Sequence, residues 1–365
     1  KYDVIVVGGG IYGVMMFLEG TLRGQRVLLL EKDDFGAGTS FNSFRIIHGG
    51  LRYLQSLNLK RFFESVEARR WFLRAFGAFV KPLPCVMPLY GQGLKRPIML
   101  KTALLLNHLL SLSRNKGVAE ENWLPRGGVS RPEHREEFSF YIEEKGLRGC
   151  ALWYDAGMSD SHRILIEAIR WACQEGGRAL NYVHVHEILH ENNRVSGVAM
   201  TDAVTGASYE VRAVRVINAA GPSCQSLFSG WTKTPFPLFI KSIAWNVLFE
   251  HPTISPFALA VSPPSRKGQT YFVQSWRGKL FAGTGHAATA NDSHDPMPTE
   301  TQLEVFITEL NAALPGLKLL RKDVIRVLAG FLPVVKPEGT ELATEAVIID
   351  HGKQGSLQGL FSVSG

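Results

Sequence analysis

Gly8, Gly10 and Gly13 stand at G-x-G-x-x-G spacing directly after the apolar run Val4–Val7, and Glu31 closes a second apolar run, Val27–Leu30. These residue types at this spacing suit a dinucleotide. Gly8 permits a tight turn, Gly10 lets backbone approach a pyrophosphate, and Gly13 lets the following helix pack closely on the strand. Ile11 opens that helix, whose N-terminus favours phosphate charge. Glu31, eighteen residues past Gly13 and followed by Lys32, can accept a hydrogen bond from a ribose 2′-hydroxyl. Its charge would repel a 2′-phosphate, which disfavours NADP. Outside this turn, His48 and His286 are candidates for proton transfer, and Arg52, Lys241 and Lys336 for holding an anion.

The elements that must position these groups are legible in outline. Val4–Val7, a helix and Val27–Leu30 make a β-α-β unit. Residues 57–76 have helical periodicity. The run Met99–Leu112 is strongly apolar but too short and polar to span a membrane. A core helix is its first reading, and a membrane-surface helix, helped by Lys95, Arg96, Lys101 and Arg114, its second. Residues 115–145 read as irregular. Asp160–Cys173 is a helix capped by Asp160 or Ser161. Strands are expected at Ala179–Val185, Arg194–Thr201, Tyr209–Ala213 and Val214–Ala219, the last running into the turn Ala220-Gly221-Pro222. Phe239–Glu250, Thr270–Gln274 and Lys279–Gly283 suggest a further, mostly antiparallel sheet. Thr299–Leu314 is a helix, and Gly359–Ser364 a short strand.

The chain has 365 residues, 45% hydrophobic and 20% charged, which bounds it to one or two ordinary globular domains. A net charge of +7 suits anionic partners such as phosphorylated metabolites, nucleotides or anionic lipid. The basic residues are dispersed rather than interleaved with aromatics, so nucleic acid is not an expected partner. Cys85, Cys150, Cys173 and Cys224 are far apart and form no C-x-x-C, which fits free thiols in a reducing compartment and no metal. The expected location is cytoplasmic, extending to the inner face of the membrane. The chain opens on Lys1, one residue before a strand signal, and stops at Gly365 directly after a strand. Further residues at both ends are therefore expected, and the absence of a targeting signal weighs little.

Residues 34–54 read DFGAGTSFNSFRIIHGGLRYL. With Tyr154-Asp155, Asp160–Arg163, Asn218-Ala219-Ala220-Gly221-Pro222 and Gly283-Thr284, this block resembles the FAD-dependent glycerol-3-phosphate dehydrogenases, within the D-amino-acid-oxidase-like flavoproteins. The resemblance covers essentially the whole chain and implies FAD and an α/β fold. A Rossmann-like FAD-binding domain would comprise 1–76, 146–228 and 340–365. A second α+β substrate domain, 77–145 and 229–339, would be built on the mostly antiparallel sheet. A flat flavin needs backbone within van der Waals reach, which Gly49 and Gly50 permit beside Leu51. Thr39, Ser40 and Ser43 offer hydroxyls to the pyrophosphate and flavin edge, and Arg45 can offset diphosphate charge. By resemblance Val185 gives backbone contacts to the adenine, and Ala219, Ala220 and Gly221 pass close to the cofactor.

The substrate side departs from the family pattern. The Gly-x-Arg-Pro turn reads Gly330-Phe331-Leu332-Pro333, Ile349 stands before Asp350, the family's Ser-His appears as Ser242-Ile243, and Gly-Thr-Thr-Asp has become Gly283-Thr284-Gly285-His286. An aliphatic side chain cannot replace a guanidinium that holds a phosphate, so the departures argue against glycerol 3-phosphate as an efficient substrate. The expected activity is hydride transfer from a small hydroxylated, anionic substrate to flavin N5, with His48 or His286 as base, Tyr53 orienting, and Arg52 or Lys336 holding the anion. The electron acceptor is a quinone, oxygen or another protein. Two rivals stand beside this reading: C–N oxidation of the amino-acid-oxidase type, with Arg52 on a carboxylate, and a flavin-binding subunit without catalysis.

Overall fold

A computed structural model describes residues 1–91, 96–130, 141–224, 240–263, 269–289, 295–334, 341–343 and 345–365. The chain begins β1 (Tyr2–Val7), α1 (Ile11–Leu22), β2 (Val27–Leu30), β3 (Ile46–Ile47), α2 (Leu51–Gln55), α3 (Leu59–Ala75), β4 (Val80–Leu89) and α4 (Pro97–Leu110). It continues with β5 (Gly128–Ser130), β6 (Gly149–Met158), α5 (Ser161–Gln174), β7 (Arg178–Leu180), β8 (Val183–Glu191), β9 (Arg194–Asp202) and β10 (Ser208–Asn218). The remainder is β11 (Lys241–Pro252), β12 (Ala258–Val261), β13 (Tyr271–Trp276), β14 (Lys279–Ala288), α6 (Glu300–Ala313), β15 (Val324–Pro333), β16 (Val347–Asp350) and β17 (Leu360–Ser364).

The first sheet runs β16-β17-β10-β1-β2-β7, with β8 and β9 attached through β10. Its centre is parallel: Val7 pairs with Asn218 on one side and Leu30 on the other. Strands buried on both faces read as unbroken Val/Ile/Leu runs, which is why β1 and β2 are so plain in the sequence. Helices α1 and α5 cover one face through Val14, Phe17, Leu18, Ile164 and Leu165. Asp160 caps α5, its carboxylate accepting from the amides of His162 (3.0 Å) and Arg163 (3.3 Å).

The second sheet runs β15-β11-β14-β13-β12-β4-β6-β3, with β5 on β6. All its pairs are antiparallel except β12 with β4. Trp245, Val247, Phe249, Leu280 and Ala282 bury one face together with Phe306 and Leu310 of α6. The opposite face receives residues 39–44. There Asn42 Nδ2 donates to Ala329 O (2.6 Å), Asn246 Nδ2 to Asn42 O (2.8 Å) and Gln274 Nε2 to Phe44 O (2.6 Å). The loop that follows β2 is thereby stitched to the second sheet.

Two expectations change. Ala179–Val185 is two strands, because the chain turns at Asn181–Tyr182 with Tyr182 at φ +56°. Tyr209–Ala213 and Val214–Ala219 are the one strand β10, antiparallel to β9 in its first half and parallel to β1 in its second. β6 pairs with β4 along its whole length and so lies in the second sheet, as does β3. β4 was hidden by Pro82, Pro84 and Pro88, which argue against a strand. They share one parity, so the missing amides all face one edge and the ladder on the other edge stays whole.

Candidate active site

The dinucleotide turn is built by close approach. Gly8 has φ +110°, and a Cβ there would stand 2.5 Å from Ala219 O, so the end of β10 closes against it. A Cβ on Gly13 would stand 1.8 Å from Gly8 O, which leaves room for glycine alone. At the mouth of the turn, Glu31 accepts from Gly9 N (2.6 Å) and Asp33 N (2.9 Å). Its carboxylate is therefore held at the end of β2, beside the glycine loop. Lys32 points outward, 3.8 Å from Asp33. Val185 is buried on β8, which Val183 N joins to Glu31 O (2.8 Å). Ala219 N donates to Val7 O (2.8 Å) and Ala220 N to Asn218 Oδ1 (3.2 Å), with Gly221 next at φ +55°.

The hydroxyls and Arg45 are placed differently from expectation. Ser40 Oγ accepts the Ile11 amide at the start of α1 (2.9 Å), which leaves its proton and its second lone pair for another partner. Thr39 Oγ1 donates to Phe331 O (3.3 Å). Ser43 Oγ is buried and has no partner among the described residues. Arg45 sits at φ +64° with its guanidinium buried, 3.9 Å from the Trp276 ring centroid, and donates to Ser43 O (2.6 Å). Burial lowers its pKa to about 10, against the opposing pull of Asp160. Its place is a box of rings formed by Phe41, Trp276 and Phe281, where cation–π attraction replaces solvation.

His48 and Asp155 form the most connected group. Asp155 is 3% exposed and lies on β6. One oxygen lies 3.0 Å from His48 Nδ1 and accepts from Trp153 Nε1 (3.2 Å). The other accepts from Gly49 N (2.7 Å) and Arg69 Nη1 (3.1 Å). Burial alone would raise its pKa; the His48 bond and charge, with Arg69 and Gly49, outweigh it and bring Asp155 to about 2. A buried carboxylate facing Nδ1 makes that nitrogen the donor, which leaves Nε2 of His48 as the free lone pair. His48 itself is half exposed, its ring 5.4 Å from that of Phe272.

The glycines beside His48 serve this group. A Cβ on Gly49 would meet Arg69 Nη1 at 1.9 Å, so Gly49 is needed to admit a guanidinium, not only a ring system. Gly50 has φ +83° and caps α2, which Leu51 opens. Arg52 is exposed on α2 with its guanidinium 5.4 Å from the Tyr53 ring centroid. The sequence reading missed Asp155 and Arg69 as site residues. The signal for Arg69 was present: it takes a place on the buried stripe of α3 with Phe62, Val66 and Leu73.

His286 lies on β14, and its Nε2 is 2.8 Å from Ser242 Oγ, which donates to Leu332 O (2.9 Å). Burial lowers the His286 pKa. Thr284 Oγ1 donates to Asn246 Oδ1 (3.0 Å). Leu332 shares this sheet face, whereas Ile349 is buried in the core. Lys241 Nζ lies 5.1 Å from the Phe331 ring centroid, on the parity opposite Ser242. Lys336 lies outside the described residues. Among the described residues there is no His/Cys/Asp/Glu group that could hold a metal.

Residues 3–365 match the family described as DAO, FAD dependent oxidoreductase. The chain belongs to the DAO family. Its relatives include a glycerol-3-phosphate dehydrogenase of Synechocystis sp., 29% identical over 100% of this chain and 66% of its own length. The mitochondrial glycerol-3-phosphate dehydrogenase of Homo sapiens is 28% identical over 100% of this chain and 50% of its own. The chain thus spans about half to two-thirds of these relatives. The fold is that of the Bacillus halodurans glycerol-3-phosphate dehydrogenase solved with FAD (TM-score 0.71, 21% identity, 99% of this chain and 60% of that one). It also matches an L-proline dehydrogenase from P. horikoshii (TM-score 0.67, 18% identity, 100% and 88%). FAD is the cofactor of the DAO family, and the glycine cradle, the fixed Glu31 carboxylate and the orphaned Ser43 hydroxyl suit it.

Proposed function

We propose that this DAO-family member is an FAD-dependent dehydrogenase or oxidase of the glycerol-3-phosphate dehydrogenase type, acting on a small hydroxylated, anionic substrate. The observation that carries this reading is the His48–Asp155 pair, an imidazole fixed at Nδ1 by a buried carboxylate, with no partner on Nε2 among the described residues. FAD, when bound on the glycine turn, supplies the hydride acceptor. His48 Nε2 takes the proton of the hydroxyl on the carbon that loses hydride. Asp155 stays ionised, holds the ring and stabilises the imidazolium that forms. Arg52, on the helix that starts two residues after Gly49, offers a cation to the substrate's anionic group. Tyr53, whose ring lies 5.6 Å from the Arg61 guanidinium and next to that of Arg52, orients it. The acceptor that reoxidises the enzyme is a quinone, oxygen or another protein.

The relatives' names point to glycerol 3-phosphate, but Leu332 supplies no charge to the sheet face that carries His286. A peripheral contact with the inner face of a membrane is supported by α4. Among the described residues no helix is long and apolar enough to cross a bilayer. Yet Ile98, Met99, Leu105, Leu106 and Leu109 of α4, and Leu112 just beyond it, are exposed, near Arg96, Lys101 and Arg114. That combination suits an anionic lipid surface.

The test is anaerobic bleaching of the flavin band with a panel of hydroxy acids and phosphorylated polyols. His48→Gln should keep FAD and slow reduction by about 10²- to 10⁴-fold, the usual range for losing a general base. Reduction at the unaltered rate in that variant would remove His48 as the base.

A further inference from the structure

We propose that Ser242 is a positioning residue that holds His286 in the tautomer protonated at Nε2, so that His286 Nδ1 accepts a hydrogen bond from a second hydroxyl of the substrate. The inference rests on the reading above for the substrate's hydroxyl chemistry and adds that the substrate reaches this face of the second sheet.

The tautomer follows from counting protons. A serine hydroxyl has one proton and a carbonyl oxygen has none. Ser242 Oγ lies 2.9 Å from Leu332 O, a hydrogen bond only if Ser242 donates. Its lone pair then faces His286 Nε2 at 2.8 Å, so Nε2 must carry the proton. Burial lowers the His286 pKa, which favours the neutral imidazole. A neutral ring protonated at Nε2 presents Nδ1 as an acceptor and cannot donate from it. Among the described residues Nδ1 has no partner.

The face is set by strand register. His286 pairs with Ala244, and Ser242 pairs with Leu332. Directly paired residues share a face, and so do alternate residues of one strand. Ser242, Ala244, Asn246, Gly330 and Leu332 therefore lie on the face with His286. A Cβ on Gly330 would meet Thr39 Oγ1 at 2.7 Å, so this face looks onto residues 39–44, the loop between the dinucleotide turn and His48. Leu332 and Ala244 offer no polar atom from their side chains there. An acceptor nitrogen set among them favours a hydroxyl, which brings a proton, and repels a phosphate dianion, which brings none.

Imidazole ¹⁵N spectra of histidine-labelled protein test this. The His286 signal is assigned by its loss in His286→Gln. The expected result at neutral pH is a neutral ring with the proton on Nε2, shifting to a mixture of tautomers in Ser242→Ala and restored in Ser242→Thr. Glycerol 3-phosphate should perturb the Nδ1 signal, whereas propane-1,2-diol 1-phosphate, which lacks the terminal hydroxyl, should not. A wild-type ring protonated at Nδ1, an unchanged tautomer in Ser242→Ala, or equal responses to the two phosphates would overturn the proposal. If Ser242→Ala does not fold, the wild-type spectrum still decides the tautomer. An Nε2-protonated ring with no flavin reduction by any alcohol would support the positioning role and sink the oxidoreductase reading instead.

Discussion

Arg69 Nη1 stands 1.9 Å from where a Cβ on Gly49 would be, and the same nitrogen donates to Asp155 Oδ1 at 3.1 Å. Gly49 is thus the space that lets a buried guanidinium reach a buried carboxylate. Gly49→Ala should break that ion pair as surely as Arg69→Ala. Leaving a buried charge without its partner costs about 3 to 5 kcal/mol. The two losses should not add, because both remove one contact. Chemical denaturation of the two single variants and the double variant checks this, and additive losses would show that the residues act separately.

The Asp155 pKa sets an acid limit. Its folded value of about 2 lies below the ordinary 3.8, because His48, Arg69 and Gly49 together outweigh the effect of burial. A depressed carboxylate pKa contributes stability above the unfolded value, and that contribution disappears as pH falls through the folded value. Stability should therefore drop between pH 4 and pH 2, by on the order of 2 kcal/mol from this group. In Asp155→Asn this component of the pH dependence should be absent, as measured by denaturation midpoints across that range.

Cofactor retention should hinge on Gly13. A Cβ there overlaps Gly8 O, so Gly13→Ala must push α1 away from β1 and open the turn. The variant should purify with little FAD while keeping its secondary structure. Released flavin per protein, measured after heat denaturation, decides it. FMN in place of FAD in the parent protein would contradict the dinucleotide assignment outright.

Glycerol 3-phosphate should be a poor substrate, and Leu332→Arg should improve it. A charge-assisted hydrogen bond contributes about 1.5 to 3 kcal/mol, so one restored guanidinium should raise kcat/KM by roughly 10- to 100-fold. Arg52→Ala should raise KM for any anionic substrate while FAD stays bound. Steady-state kinetics with an artificial acceptor would read both, and an efficient parent enzyme on glycerol 3-phosphate would show that another cation serves the phosphate.

If α4 docks on lipid, Leu105→Asp with Leu109→Asp should abolish sedimentation with vesicles containing anionic phospholipid. Both side chains are exposed, so flavin content should be unchanged. Binding that persists in this variant would move the contact to another surface.

The parts of the site legible in the sequence were those whose chemistry lies in consecutive residues. The glycine turn and the Asp160 cap are local, and spacing alone reveals them. The His48 environment was not legible, because Asp155 and Arg69 reach it from β6 and α3, far along the chain. The surroundings of Arg45 were not legible for a related reason. A basic residue in a phosphate-rich motif reads as a phosphate ligand, and only the register of β13 and β14 puts Trp276 and Phe281 around it. Gly49 showed the right residue type for an additional reason, since close approach to Arg69 and close approach to a cofactor leave the same mark in a sequence.

β1 comes long before β10 in the chain and stands in the middle of its sheet, between β2 and β10. Tyr2 cannot find Ala213, nor can the Gly8 turn meet Ala219 O, until most of the chain exists. During that interval a growing chain exposes an unpaired strand edge rich in Val and Ile, the kind of surface that invites aggregation and chaperone binding. The nucleotide cradle is therefore a product of late assembly. Truncated translation products ending before β10 would be colourless and prone to aggregate, however much flavin the cell supplies.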